Sequence, residues 1–86
     1  MDLNLRGRTA LITGGSKGIG FGVARWFAAE GCNLRLAARS AEDLAKAKAK
    51  ISQIAPVDVR TFALDVSKPE SRDQLVAACA DVDILI

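Results

Sequence analysis

A doubly wound α/β fold with a parallel sheet is predicted by three features of this 86-residue chain. Short apolar runs alternate with longer amphipathic stretches, the connections between them are brief, and the first run leads through a glycine cluster directly into an amphipathic stretch. Alternation of this kind requires right-handed crossovers, which give the partial strand order 3-2-1-4, with the sequence ending inside the fourth strand.

The first strand, about Thr9 to Thr13, is a nearly continuous apolar run, as expected when helices cover both faces of a parallel strand. Helix one is expected over about Gly18 to Glu30, with Gly31 ending it, and Ile19, Val23 and Phe27 at i, i+4 and i+8 are expected to pack on the sheet with Trp26 beside them. Strand two spans about Asn33 to Ala38. Ser40 then caps a helix that runs to about Ile54, with Asp43 completing an approximate capping box. Strand three is expected over about Asp58 to Leu64. Ser67-Lys68-Pro69-Glu70 reads as a second capping box with proline in the first turn, opening a helix that reaches about Ala80. A fourth strand begins at Val82. Arg35 sits badly in this scheme, because a charge in the middle of an interior strand needs a partner or a route to solvent.

The chemistry lies in Thr13-Gly14-Gly15-Ser16-Lys17-Gly18-Ile19-Gly20. Strand, glycine turn and helix in that order bring a diphosphate against a helix N-terminus, and side chains at Gly14, Gly18 and Gly20 would intrude on the turn, the ligand or the helix-strand packing. A P-loop is disfavoured because Lys17 precedes the second glycine of the spacing instead of following it. The standard G-x-G-x-x-G is not met either, since Val23 stands where its third glycine would fall. About twenty residues past the motif, where an acidic residue holds the ribose hydroxyls in NAD-binding folds, the chain has Ala38 followed by Arg39. Lys17 and Arg39 can therefore clamp a 2′-phosphate, the other reading being two solvated loop cations.

The spacing Thr-Gly-x-x-x-Gly-x-Gly resembles the cofactor motif of the classical short-chain dehydrogenase/reductase family, and the likeness continues along all 86 residues. Leu64-Asp65-Val66 is similar to that family's acidic turn after the third strand, and Val82-Asp83-Ile84-Leu85-Ile86 to its fourth strand. The resemblance implies a Rossmann-type dinucleotide-binding domain of which residues 1–86 form the N-terminal part. It implies an oxidoreductase that moves hydride between a nicotinamide and a carbonyl or alcohol. Gly14, Ser16, Lys17, Gly18, Ile19, Gly20, Arg39, Asp65 and Val66 are its expected cofactor contacts, with Asp65 and the backbone of Val66 at the adenine, the other reading of Asp65 being a strand-end carboxylate that shapes the turn before Ser67. A basic residue before the second motif glycine and another after strand two are features of NADP-preferring members, so NADP is expected ahead of NAD. The family's catalytic serine and Tyr-x-x-x-Lys are expected downstream of Ile86, and this sequence contains no tyrosine. A noncatalytic NADP-binding module and an S-adenosylmethionine-dependent methyltransferase are the alternatives, Ala38-Arg39 arguing against the second.

Composition narrows the remaining classes. Half of the residues are hydrophobic and 26% charged, which suits a globular protein and is too apolar for a disordered one. Lys46, Lys48 and Lys50 alternate along one helix without aromatic neighbours, a solvated face more than a nucleic-acid surface. Cys32 and Cys79 match no zinc spacing, there is no histidine, and both are expected to be buried free thiols. No apolar span or signal segment is visible, so a cytoplasmic location is expected. The expected partners are a small-molecule substrate and, through segments beyond residue 86, further copies of the chain. Nucleic acid and membrane are not expected.

Overall fold

A computed structural model describes residues 6–14, 17–65, 67–78, 80 and 82–85. Strands and helices alternate: β1 (Thr9–Thr13), α1 (Gly18–Ala29), β2 (Asn33–Ala38), α2 (Ala41–Ile54), β3 (Val59–Ala63), α3 (Pro69–Ala78) and β4 (Ile84–Leu85). The strands form one parallel sheet in the order β3-β2-β1-β4. Thr9 pairs with Asn33 and Thr13 with Ala37 along β1 and β2, Leu34 pairs with Val59, and Ala10 pairs with Ile84. Asp83 fastens the short β4 to the sheet. Its Oδ2 accepts from the Thr9 amide at 3.0 Å, and its own amide donates to the Thr9 carbonyl at 2.9 Å.

Strand alternation sorts the apolar side chains into two cores. Ala10, Ile12, Leu34, Leu36 and Val59 meet Ala24 and Ala28 of α1 and Leu44, Ala47 and Ile51 of α2 on one face. Leu11, Ala37, Phe62 and Leu64 meet Leu75 of α3 on the other. Burial on both faces explains why β1 carries no polar alternation.

Helix α1 corrects the expected packing. Its fully buried positions are Ala24 and Ala28, with Phe21, Val23 and Phe27 partly buried beside them. Ile19 is 88% and Trp26 48% exposed. Small residues at the contact let the helix lie close to the sheet, which turns the bulky Trp26 to the flank, where it meets Phe27 edge-on at 5.1 Å. Ile19, in the first turn, extends past the end of the sheet core. The N-terminus of α2 follows expectation, Ser40 Oγ accepting from the Asp43 amide at 3.1 Å. That of α3 does not: the helix starts at Pro69, so Lys68 and not Ser67 precedes the first turn, and the Ser67 hydroxyl is given to Asp65 at 2.6 Å.

Arg35, 4% exposed, finds its partner at the start of β3. Its guanidinium donates to Asp58 Oδ2 at 3.4 Å and to the Leu34 carbonyl at 3.3 Å. Arg60, directly opposite Arg35 in the sheet, reaches the same Asp58 oxygen at 3.3 Å. Cys32 is a buried thiol, and burial pushes it above the usual range. The expectation for Cys79 lies outside the described residues.

Candidate functional site at the carboxyl ends of the strands

The chain turns sharply at the end of β1. Gly14 has φ +69° and Gly18 φ +58°, the left-handed region that L side chains avoid. Among the described residues, and apart from each glycine's chain neighbours and the backbone of α1 itself, no atom lies within 4 Å of where a Cβ would stand at either glycine. Backbone conformation and open space, not crowding by the protein, are therefore what these two positions supply. The Gly14 amide is committed to the Ala37 carbonyl at 2.7 Å, which ties the turn to β2.

Helix α1 begins in an unusual electrostatic state. Lys17 is its N-cap residue, makes no side-chain capping bond, and carries no acceptor to make one with; no acidic residue stands in the first turn. The first intrahelical bond runs from the Phe21 amide to the Lys17 carbonyl. The amides of Gly18, Ile19 and Gly20 precede it and have no intrahelical acceptor, and they lie at the positive end of the helix dipole. Helix α2, by contrast, is capped by Ser40 and carries Glu42 and Asp43 in its first turn. Among the described residues this end of α1 thus has donors beyond the reach of the helix's own carbonyls and open space beside them, where a diphosphate can supply acceptors.

A crevice of about 370 Å³ lies over the carboxyl ends of β1, β2 and β3, lined by Gly14, Ala37, Ala38, Arg39, Leu64, Asp65 and Ser67. Parallel α/β sheets bind ligands at this end of the strands. A larger hollow of about 440 Å³ lies at the amino ends of the strands, among Arg6, Gly31, Ile54, Pro56 and Val57, away from the glycine turn.

Asp65 is held in place inside the crevice. Its Oδ1 accepts from the Ser67 hydroxyl at 2.6 Å and the Ser67 amide at 3.0 Å. Those bonds, the hydroxyl first, hold its carboxyl below the ordinary aspartate range, with Arg39 a smaller cause. The carboxylate therefore shapes the turn before α3 while bordering the crevice.

The structure brings Gly14, Arg39 and Asp65 into one lining but places Lys17 elsewhere. Lys17 Nζ lies 3.0 Å from Asp43 Oδ2, in a hollow between α1 and α2 that Phe21, Lys46, Ala47 and Lys50 complete. The Lys17 hydrogen bond is also the main reason the Asp43 carboxyl lies below its usual range. A single grip by Lys17 and Arg39 is thus not preformed, because Asp43 draws the lysine to the other side of the turn. Gly18, Ile19 and Gly20 form the first turn of α1, and Ile19 leaves its side chain open to contact. Ser16 and Val66 lie outside the described residues. Sequence reasoning reads Asp43 only as a helix cap, and in one of its two readings Asp65 shapes the turn before Ser67, without the Ser67 hydroxyl being named as its partner. The Asp-x-Ser spacing of a side-chain turn was the available signal for the second.

Among the described residues there is no group of three or more histidine, cysteine or acidic side chains placed to hold a metal, and no helix is long and apolar enough to cross a membrane.

Comparison with known proteins fits this geometry. A solved L-sorbose reductase from Gluconobacter frateurii, complexed with NADPH and L-sorbose, superposes with a TM-score of 0.90 at 37% identity over 99% of this chain and 34% of its own. An alcohol dehydrogenase from the archaeon Thermococcus sibiricus, complexed with 5-hydroxy-NADP, gives 0.80 at 39% identity over 91% of this chain and 35% of its own. A 3-dehydrosphinganine reductase of Arabidopsis thaliana is 37% identical over all of this chain and 26% of its own length. The chain thus spans between a quarter and about a third of the length of these relatives. The family model described as short chain dehydrogenase matches residues 8–86, so by sequence, sheet and glycine turn together the chain belongs to the short-chain dehydrogenase family.

Proposed function

We propose that these 86 residues are the NADP(H)-binding, N-terminal part of a single dinucleotide-binding domain in a short-chain oxidoreductase that reduces a carbonyl or oxidises an alcohol. The observation that carries the cofactor choice is Arg39, placed in the crevice at the end of β2 directly after Ala38, where an NAD-binding fold needs a carboxylate. The amides of Gly18, Ile19 and Gly20 suit the diphosphate, with Ser16 beside them in the motif. Asp65, with Val66 next to it, borders the adenine end. The relatives complexed with NADPH and with 5-hydroxy-NADP support the same reading.

When bound, the nicotinamide carries the hydride, and what these residues contribute is binding and orientation. Uncapped amides and Arg39 offer fixed positive charge to phosphates, and the αL glycines let the backbone approach without a Cβ between. The proton-delivering Tyr-x-x-x-Lys of such an enzyme has no counterpart among these residues, since the sequence holds no tyrosine.

The test is a calorimetric titration of NADP+ and NAD+ against the wild type and an Ala38→Asp, Arg39→Leu double variant. One charge-assisted hydrogen bond contributes about 1.5–3 kcal/mol, and the exposed Arg39 belongs at the low end, so the wild type should prefer NADP+ by about tenfold. The double variant should reverse that preference. Equal affinity of the wild type for the two cofactors overturns the proposal.

A further inference from the structure

We infer that Asp43 is a specificity-determining residue: it holds the Lys17 ammonium between α1 and α2 and competes for it with the 2′-phosphate of the cofactor. The inference rests on the NADP(H) reading above. It starts from placement. Asp43 stands four residues past Arg39, on the helix that the Arg39 loop opens, and its amide is anchored to Ser40 Oγ, so the carboxylate sits on a fixed backbone. Its side chain is 25% exposed, whereas that of Lys17 is 75% exposed on a flexible four-carbon stem. The acid is therefore the fixed member of the pair and the lysine the movable one.

The surroundings favour exchange. Lys46 is occupied with Glu42 at 3.4 Å, and Lys50 lies 5.8 Å over the Phe21 ring, so the hollow already carries more positive than negative charge. A phosphate monoester carries nearly two negative charges against one on Asp43, and Arg39 adds attraction on its side of the turn. Lys17 can then leave Asp43 for the phosphate, at the cost of the existing pair and of a carboxylate left near an anion. NAD+ has no 2′-phosphate and asks nothing of Lys17. Asp43 thus lowers the affinity for NADP+ alone, and an exposed pair sets the effect at about two- to fivefold.

The experiment is calorimetric titration of NADP+ and NAD+ against the full-length protein carrying Asp43→Asn, Lys17→Met, both together, or Asp43→Glu. Asp43→Asn should bind NADP+ about two- to fivefold more tightly with NAD+ unchanged, the gain should fall below about twofold in the Lys17→Met background, and Asp43→Glu should return the ratio toward wild type. A role confined to helix stability would move both cofactors together. Unchanged or weaker NADP+ binding by Asp43→Asn, in a protein whose wild type still prefers NADP+, overturns the inference and leaves the cofactor reading standing. A wild type without preference overturns both. Circular dichroism checks folding, and Asp43→Ser removes the same carboxylate should Asp43→Asn not fold.

Discussion

Replacing Gly14 by alanine should separate stability from binding. At φ +69° an L residue pays for the left-handed conformation, roughly 1–2 kcal/mol, and among the described residues no atom beyond its chain neighbours lies within 4 Å of the new methyl to add a steric cost. The amide that donates to the Ala37 carbonyl at 2.7 Å is retained. In the complex the same methyl stands at a residue that lines the crevice, and overfilling a fitted contact costs about 1–3 kcal/mol, or about 5- to 150-fold in affinity. Gly31→Ala is the control. At φ +89° its Cβ would meet Arg6 Cα at 3.3 Å and Cγ at 3.2 Å, so backbone must move, at the far end of the strands. It should cost more stability than Gly14→Ala and leave the affinity of the folded protein unchanged. Urea unfolding measures the first quantity and calorimetric titration of NADP+ the second. A Gly14→Ala protein that binds as wild type, or a Gly31→Ala protein that loses affinity to the same degree, would refute the reasoning.

Leu36→Ala, in the core shared by α1 and α2, should cost about 2–5 kcal/mol, whereas Ile19→Ala should stay within about 0.5 kcal/mol, both read from urea unfolding. Asp65 has a depressed folded-state pKa, so its contribution to stability is complete above the ordinary aspartate value and is lost as pH falls through the folded one. Melting curves of wild type and Asp65→Asn should accordingly differ at pH 7 and converge below about pH 4; a constant gap at all pH values would refute this assignment. In a Cys79→Ser background, Cys32 should resist maleimide at neutral pH and react once the protein is unfolded.

Most of the fold could be read from the sequence because its determinants are local. The apolar run at β1, the glycine turn and the Ser40 cap act over a few residues, and each element lies within two residues or so of the expected bounds. Helix α1 shows where periodicity runs out. Ile19, Val23 and Phe27 share a stripe, but the position of the sheet edge decides which part of a stripe is covered, and it leaves Ile19 bare. The site divides in the same way. Gly14, Arg39 and Asp65 each follow a strand end and so meet in one crevice by topology alone. The pairing of Lys17 with Asp43 depends on how α1 and α2 lie against each other, a relation that no spacing along the chain encodes.

Asp58 has a consequence for the pairing of β3, an edge strand of the sheet among the described residues. A slip of one residue between β2 and β3 is forbidden by alternation, since it would turn Arg60 into the core under α1 and α2. A slip of two is not, because every side chain keeps its face and only its opposite number changes. Moved so that Phe62 faces Arg35, β3 would carry Asp58 about 6–7 Å along the strand, out of reach of the guanidinium it now meets at 3.4 Å. The contact of Arg35 with Asp58 therefore works as a key for the strand's alignment, while Arg60, on the same segment as Asp58, would travel with it. Because the crevice is made of strand ends, that key also fixes the height at which Leu64 and Asp65 stand relative to Arg39.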